Sequence, residues 1–332
     1  MFFFYIPFAE PYDPTPESMQ DITANTDTTT IAWFSDDHFR FDNHTSRWAK
    51  CFDYSVTTDQ ASLPKYAAIH YDRVILSQWA CNHFLYRNKH LPLTHEVTFV
   101  GQAFPHRQQA MAMLSQQGIP VKTWGKGWDE NSRIDQDAMI DVFNQSRINL
   151  NLAASGHFQE FQPPPATWQY RARSWAAKVP GLRAARDKLR SHPSVCATVP
   201  ASGNTPLAAA IFPLQIKGRN FEVPGCGGFL LTESVPHLEN YYAFDKEIAC
   251  YASLEELKDK LAYYLNHEEE RAAIANAGYQ RTLKEHTYVH RFTHIFRTAG
   301  LCKDGEIDLS ARSGKITDIA ATTASHSMAS VK

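Results

Sequence analysis

Residues 215–233 combine basic, acidic and glycine residues at a spacing suited to anion binding. The residues that could do this chemistry are Lys217, Arg219, Glu222, Gly227 and Gly228. Glycines let a backbone approach a ligand without a Cβ in the way, and exposed amides beside cations hold phosphate oxygens. Glu222, which only accepts hydrogen bonds when it is ionised, suits a pair of sugar hydroxyls. The pattern predicts a phosphate or nucleotide site; a turn that simply packs a helix against a strand is the alternative.

A second candidate site follows an apolar stretch near the start of the chain. Residues 30–34, TIAWF, are β-branched and aromatic, which fits a buried strand, and Asp37 and His38 come shortly after them. Polar residues at the carboxyl end of a strand in an open α/β sheet often line a ligand site. Asp37 or His38 is therefore a candidate general base, or a group that orients an acceptor hydroxyl. The alternative is a helix N-cap or a satisfied turn, and adjacent carboxylates without further ligands give no reason to predict a metal site.

The elements around these residues alternate between strands and helices, which favours parallel sheets. Strands are predicted at 2–8, 30–34, 52–58 and 74–76 and, after a proline-marked linker at 85–94, at 97–100, 121–124, 148–152 and 229–231. Arg219 to Val223 is predicted to form one helical turn. Ser253 and Glu256 have the spacing of a capping box that opens a helix. The sequence thus predicts an α/β protein whose second α/β unit begins at Glu96.

Composition and charge exclude several classes of protein. The chain has 332 residues, enough for two domains, with 43% hydrophobic residues, 20% charged residues and a net charge of -2. This charge gives no general attraction to nucleic acid, and no apolar run is long enough to span a bilayer. The six cysteines are scattered without a C-x-x-C pair, which indicates reduced thiols and a cytoplasmic protein.

Three further segments carry separate predictions. Residues 158–206 combine prolines with basic and aromatic residues, which suits a peripheral contact with an anionic membrane or a lipid-diphosphate acceptor; a solvated surface insertion is the alternative. His286, His290 and His294 recur every four residues near one helical face, and we interpret them as ordinary surface histidines and not as metal ligands. Residues 303–332 are rich in Ser, Thr and Ala and are predicted to be a disordered tail.

The stretch 219–233, RNFEVPGCGGFLLTE, resembles the core motif of the spore-maturation-type "glycosyl transferases group 1" domain of the GT-B superfamily. The resemblance continues through Tyr251–Leu257, Tyr264–Leu265 and Ala277–Gly278, and extends upstream to Trp33–Asp37. It covers most of the chain. It implies a GT-B-like fold of two Rossmann-like lobes: a shortened amino-terminal, acceptor-side lobe at 1–90 and a donor lobe at 96–300, with the insertion at 158–206.

The resemblance also implies roles for particular residues. Glu222 would hold the ribose of a nucleotide-sugar donor, with the following glycines beside its diphosphate. In the resembled family two strand ends of the donor lobe face the donor. The candidate contacts there are Gly101, Arg107, Gly125 and Gly127. A solvated surface arginine is the alternative for Arg107. Many retaining GT-B enzymes carry a second glutamate eight positions before the first, and Leu214 occupies that position here.

The implied function is that of a glycosyltransferase, which moves a sugar from a nucleotide-diphosphate donor to a glycan, lipid or protein acceptor. Lys217, Arg219 and the glycine turn would stabilise the departing diphosphate, so that the donor is the required ligand and no cofactor or metal is called for. Two other functions stay open. One is a non-catalytic nucleotide-sugar-binding module that partners a separate transferase; the other is a membrane-docked scaffold that depends on the basic insertion.

Overall fold

The computed structural model describes residues 1–6, 14–129, 132–153 and 214–302. Within these residues the strands form two parallel sheets, which contain four and five strands. The predicted insertion at 158–206 and the predicted tail at 303–332 lie outside the described residues. Predictions that concern the basic and aromatic insertion therefore stay predictions.

The first sheet is built from residues near the start of the chain. Its strands, in the order β1-β2-β3-β4, are β1 (Phe2–Tyr5), β2 (Thr29–Phe34), β3 (Tyr54–Thr57) and β4 (Val74–Leu76). The helices that accompany it are α1 (Pro16–Asn25), α2 (Asp37–Arg40), α3 (Ser46–Trp48) and α4 (Leu63–Ala68). Strand β2 is buried on both faces, as its apolar sequence predicts, because Ala32 and Phe34 pack on one face and Ile31 and Trp33 on the other.

The second sheet has the strand order β6-β5-β7-β8-β9. Its strands are β5 (His95–Val100), β6 (Lys122–Trp124), β7 (Ser146–Asn151), β8 (Leu230–Glu233) and β9 (Ala249–Tyr251). The helices that follow in sequence are α5 (Pro105–Gln116), α6 (Gln136–Gln145), α7 (Arg219–Gly225), α8 (Leu254–Asn266) and α9 (Glu268–Glu285). Helix α8 begins as predicted, because the Ser253 side chain accepts a hydrogen bond from the Glu256 amide. The predicted single turn at Arg219 is a longer helix that continues to Gly225.

The last described helix, α10 (Tyr288–Thr298), returns to the first sheet. Its residues Ile295 and Phe292 pack in the cluster that contains Ile31 and Trp33. The sequence predicts that residues 96–300 all belong to the second lobe. The structure differs at α10, which packs against the first sheet. Backbone hydrogen bonds join the two segments that cross between the lobes: the Cys81 amide donates to the His286 carbonyl at 2.9 Å, and the Tyr288 amide donates to the Cys81 carbonyl at 3.0 Å.

The interpretation of His286 as a surface histidine is wrong. Its side chain is buried, and its Nε2 contacts the Tyr241 carbonyl at 2.7 Å. Burial, which disfavours the charged imidazolium, lowers the pKa of His286 to about 4. His290 contacts Thr287 at the start of α10, so His286 and His290 support the local structure, whereas His294 is exposed as predicted. Among the described residues, no group of three or more His, Cys, Asp and Glu side chains is placed to hold a metal ion.

None of the helices among the described residues combines the length and the apolar character needed to cross a membrane.

Candidate active site between the two lobes

A cluster of polar side chains forms where the two lobes meet. Its members are Asp36 and His38 from the first lobe and Arg107, Gln215 and Lys217 from the second, and we call it the interlobe cluster. Asp36 and His38 stand directly after β2, at the carboxyl end of that strand and the start of α2. Gln215 and Lys217 immediately precede α7. Both predicted candidate sites therefore contribute to one place in the structure.

The direct contact between the lobes in this cluster joins His38 to Gln215. The side-chain amide nitrogen of Gln215 contacts Nδ1 of His38, and the Gln215 side chain is buried. Burial lowers the pKa of His38 to about 2, and the positive charges of Lys217 and Lys65 act in the same direction. His38 is therefore a neutral imidazole at ordinary pH.

Lys217 places a cation beside this contact. Its Nζ donates a 2.5 Å hydrogen bond to Oε1 of Gln215. Burial lowers the pKa of Lys217 to about 8; the nearby Asp36 acts to raise it and Arg107 to lower it further. Since the described residues place no carboxylate within ion-pairing distance of Nζ, an incoming anion would meet a cation that is only partly neutralised.

Asn220, which the sequence analysis missed, fixes the backbone at Lys217. It is fully buried; its Oδ1 accepts a 2.9 Å hydrogen bond from the Lys217 amide and its Nδ2 donates to Oγ1 of Thr232 at 3.1 Å. Thr232 lies in β8 and also accepts a hydrogen bond from Asn151 of β7, at 3.0 Å. The start of α7 is thereby attached to the carboxyl ends of two neighbouring strands. A buried asparagine with both ends of its amide in use is difficult to recognise from sequence.

Arg107 is a buried cation at the same edge of the second sheet, which rules out the alternative of a solvated surface arginine. Its side chain is 7% exposed, and it donates to the carbonyl of Gln102 at 3.2 Å and to the carbonyl of Leu152 at 3.0 Å. These carbonyls follow β5 and β7. Burial lowers the pKa of Arg107 to about 10, while Tyr251 and Glu233 act in the opposite direction. The guanidinium therefore stays charged at neutral pH and ties two strand ends together.

The predicted strand ends contain Gly101, Gly125 and Gly127. Gly101 and Gly125 allow the loops after β5 and β6 to pack closely against each other. A Cβ on Gly125 would lie 2.2 Å from the Gly101 carbonyl oxygen, and both Gly125 and Gly127 have positive φ. The Gly101 carbonyl accepts a 2.8 Å hydrogen bond from the indole of Trp128. These glycines join the loops after β5 and β6. Whether they also contact a donor stays a prediction.

Glu222 is paired within its own helix. Its carboxylate forms an ion pair with the Arg219 guanidinium, three residues earlier, and both side chains are partly buried. Arg219 also lies over the ring of Phe143 and beside the sulfur of Met139 in α6. To bind a ribose as predicted, Glu222 would have to give up its ion pair with Arg219 or bind the ligand together with Arg219. The roles of both residues toward a donor stay predictions.

The structure places Gly227 and Gly228, the predicted diphosphate contacts, in a closely packed turn. These glycines follow the carboxyl end of α7 and precede β8, so they lie at the end of β8 opposite to the interlobe cluster. Their amides bond back to the carbonyls of Pro224 and Val223. A Cβ would lie 2.6 Å from the Asn88 side chain at Gly227 and 2.8 Å from the Asn149 side chain at Gly228. The glycine turn therefore serves packing in this structure, and its contact with a diphosphate stays a prediction.

Asp37 is also placed differently from a catalytic base. It is fully buried within the first lobe, and its two carboxylate oxygens accept hydrogen bonds from Thr45 at 2.6 Å and from Tyr66 at 2.7 Å. Burial raises the pKa of Asp37 to about 6, although these hydrogen bonds act to lower it. A carboxylate enclosed in this way cannot reach a substrate, and it supports the turn that presents His38.

Comparison with known proteins agrees with this architecture. Residues 190–297, less than half of the chain, match a family model described as glycosyl transferase-like. The structure of HepE from Anabaena in complex with UDP-glucose aligns with a TM-score of 0.52 at 10% identity, over 87% of this chain and 77% of HepE. TarM from S. aureus aligns with a TM-score of 0.50 at 6% identity, over 86% of this chain and 53% of TarM. This chain therefore spans about half the length of TarM.

No curated protein sequence matches this chain. The family match includes Gln215 and Lys217, which precede α7, together with α7, β8, β9, α8 and α9. The spore-maturation-type subfamily that the motif resembles is not distinguished by these comparisons. The prediction of a GT-B-like α/β fold is confirmed. The protein has a GT-B-like fold, and residues 190–297 are similar to a glycosyl transferase-like family model.

Proposed function

We propose that the protein is a glycosyltransferase that binds a nucleotide-diphosphate sugar at the interlobe cluster and transfers the sugar to an acceptor hydroxyl. The observation that carries this proposal is a pair of cations, the partly buried Lys217 and the buried Arg107, beside the carboxyl ends of the strands in the second sheet. Ligands of open α/β sheets bind at that edge of the sheet. A diphosphate would pair with Lys217, which has no carboxylate within ion-pairing distance among the described residues.

Lys217 also has the chemistry that the reaction would require. When the bond between sugar and phosphate breaks, negative charge grows on the departing diphosphate. Gln215 and Asn220 hold the side chain and the backbone of Lys217 in place before the ligand arrives, so that little reorganisation is needed during the reaction. HepE, a neighbour in fold, was crystallised with UDP-glucose, which supports a nucleotide sugar as the class of donor.

The rival proposal is a nucleotide-sugar-binding module without catalytic activity. It is favoured by the burial of Asp37 and by the contact that occupies Nδ1 of His38, because neither predicted base is then placed to accept a proton from an acceptor. Both proposals require donor binding at the interlobe cluster. They differ in whether the bound donor is turned over.

Calorimetric titration with a panel of nucleoside-diphosphate sugars tests the shared requirement. We expect selective binding by the wild-type chain and a loss of affinity of about 10- to 100-fold in Lys217→Met, since hydrogen bonds to charged groups are worth about 1.5–3 kcal/mol. Lys258→Met, an exposed lysine in α8, is the matched control and should bind like the wild type. Release of nucleoside diphosphate from the bound donor, measured with and without candidate acceptors, separates the transferase from the binding module.

A further inference from the structure

Three side chains form a hydrogen-bonded relay across the boundary between the lobes. Lys217 Nζ donates to Oε1 of Gln215 at 2.5 Å, and the Nε2 of the same amide contacts Nδ1 of His38. Lys217 and Gln215 belong to the second lobe, and His38 belongs to the first. Gln215 is 9% exposed, so water does not offer it competing partners on most sides.

The chemistry of Lys217 sets the direction of this relay. An ammonium group has three donors and no acceptor, so the end of the Gln215 amide that faces it must be the oxygen. The NH₂ end of the amide then faces His38 and donates to Nδ1. An Nδ1 atom that accepts a hydrogen bond carries no proton, and the proton of the neutral imidazole lies on Nε2.

We infer that Gln215 is a positioning residue, which, oriented by Lys217, holds His38 in the Nε2–H tautomer and so makes His38 a hydrogen-bond donor to an oxygen atom of the ligand. His38 Nε2 makes no hydrogen bond to a described residue, so its N–H is the group left for a ligand. That the oxygen belongs to a nucleotide sugar or to its acceptor rests on the proposed function. The tautomer inferred for His38 does not depend on the proposed function.

The surroundings of His38 maintain this state. The charged groups that act on His38 are Lys217 in the second lobe and Lys65 in α4, and both disfavour a second proton on the imidazole. Nδ1 offers the only lone pair in the ring plane of this tautomer, and Gln215 occupies it. His38 is therefore placed to donate a proton in a hydrogen bond and not to remove one from an acceptor hydroxyl. This replaces the general-base role that its position after β2 had suggested.

The variant Gln215→Glu tests the inference directly. A carboxylate can accept from Lys217 but cannot donate to His38, so the His38 nitrogen that faces it must now carry a proton. Long-range ¹H–¹⁵N correlation spectra of ¹⁵N-histidine-labelled protein distinguish protonated from unprotonated ring nitrogens. His38→Gln identifies the His38 signals by their loss. Gln116→Glu, an exposed glutamine at the end of α5, is a matched control with the same change of charge.

In the ligand-free wild type near neutral pH, we expect His38 to have a protonated Nε2 and an unprotonated Nδ1. In Gln215→Glu we expect a protonated Nδ1, with Gln116→Glu unchanged. A protonated Nδ1 in the wild type overturns the inference, and this arm needs no Gln215 variant to fold. An unprotonated Nδ1 in a folded Gln215→Glu protein overturns it as well.

Donor titration of the same proteins keeps the two proposals distinguishable. We expect Gln215→Glu to weaken donor binding at least about tenfold, because its carboxylate competes with the diphosphate for Lys217. If the wild type binds no nucleotide sugar but shows the expected tautomers, the proposed function fails and the role of Gln215 stands. If donors bind but Nδ1 of His38 is protonated in the wild type, the proposed function stands and the role of Gln215 fails.

Discussion

The hydroxyl of Tyr66 donates a 2.7 Å hydrogen bond to the carboxylate of Asp37, and both side chains are fully buried in the first lobe. Thr45 donates to the other carboxylate oxygen at 2.6 Å. These hydrogen bonds favour the ionised carboxylate, but they do not compensate for its removal from water, and the pKa of Asp37 rises from 3.8 to about 6. The buried pair therefore makes folding sensitive to pH.

We expect Asp37→Asn to remove this sensitivity. Between about pH 4 and about pH 6 the folded state holds a proton at Asp37 that the unfolded state has released, so the stability of the wild type falls as the pH rises through this window, by about 3 kcal/mol in total. Asparagine is neutral at every pH, so its protonation cannot change the free energy of unfolding of the variant. The measurement is the free energy of unfolding in urea at several pH values. Asp42→Asn, an exposed residue, is the control and should show the wild-type slope; an equal slope in Asp37→Asn would contradict the prediction.

Donor binding should weaken at alkaline pH because of Lys217. Its pKa of about 8 means that it is protonated below this pH and loses its charge above it. We therefore expect the affinity for a nucleotide sugar to fall as the pH rises past about 8, by up to about tenfold per pH unit, and binding there to take up a proton. Calorimetry in buffers of different ionisation enthalpy measures the proton uptake. Lys217→Met should bind weakly at every pH and without uptake; a pH-independent affinity in the wild type would count against a charged Lys217 at the donor.

Gly225 has no room for a side chain. A Cβ there would lie 2.2 Å from Sγ of Cys81. We expect Gly225→Ala to lower the free energy of unfolding by about 1–3 kcal/mol, a cost typical of an overpacked core. Adding Cys81→Ala removes the sulfur and should recover part of the loss, so the two changes should be non-additive in a double-mutant cycle. Additive losses would show that the two residues do not compete for the same space.

Arg107→Lys should destabilise the second lobe even though the charge is kept. Arg107 donates to the carbonyls of Gln102 and Leu152, and an ammonium cannot reproduce the spread of a guanidinium between them. We expect a loss of about 1–3 kcal/mol in the free energy of unfolding, since a buried carbonyl loses its partner. Arg133→Lys, at an exposed position, is the control. If Arg107→Lys and Arg133→Lys are equally stable, Arg107 does not have the structural role assigned to it.

The fold was predictable because its signal is local. Strand β2 was recognisable from Thr30 to Phe34, where consecutive apolar residues indicate a strand covered on both faces, and Ser253 with Glu256 marked the start of α8. The position of Asp36 and His38 at the carboxyl end of β2, where ligands of open α/β sheets bind, also followed from residue type. These features depend on residue type and spacing along short stretches of chain.

The roles of individual side chains were less predictable, because their partners are distant in sequence. Arg107 is buried because carbonyls near 102 and 152 enclose it, and Gly227 and Gly228 serve packing because Asn88 and Asn149 occupy the space beside them. The role of Asn220 was not predicted, because Asn220 lies in α7 and its partner Thr232 lies in the following strand, β8. The same glycine pattern suits both a ligand and a packed neighbour, and only the tertiary structure distinguishes them.

The pairing of Cys81 with His286 and Tyr288 has a mechanical consequence. In the part of the chain that the structure describes, the segments at Cys81 and at 286–288 both pass between the lobes, and backbone hydrogen bonds hold them side by side. Two connections held side by side restrict how one lobe can twist over the other more than a single connection would. The paired segments and the relay at the interlobe cluster therefore restrain the same boundary between the lobes, one through the backbone and the other through side chains.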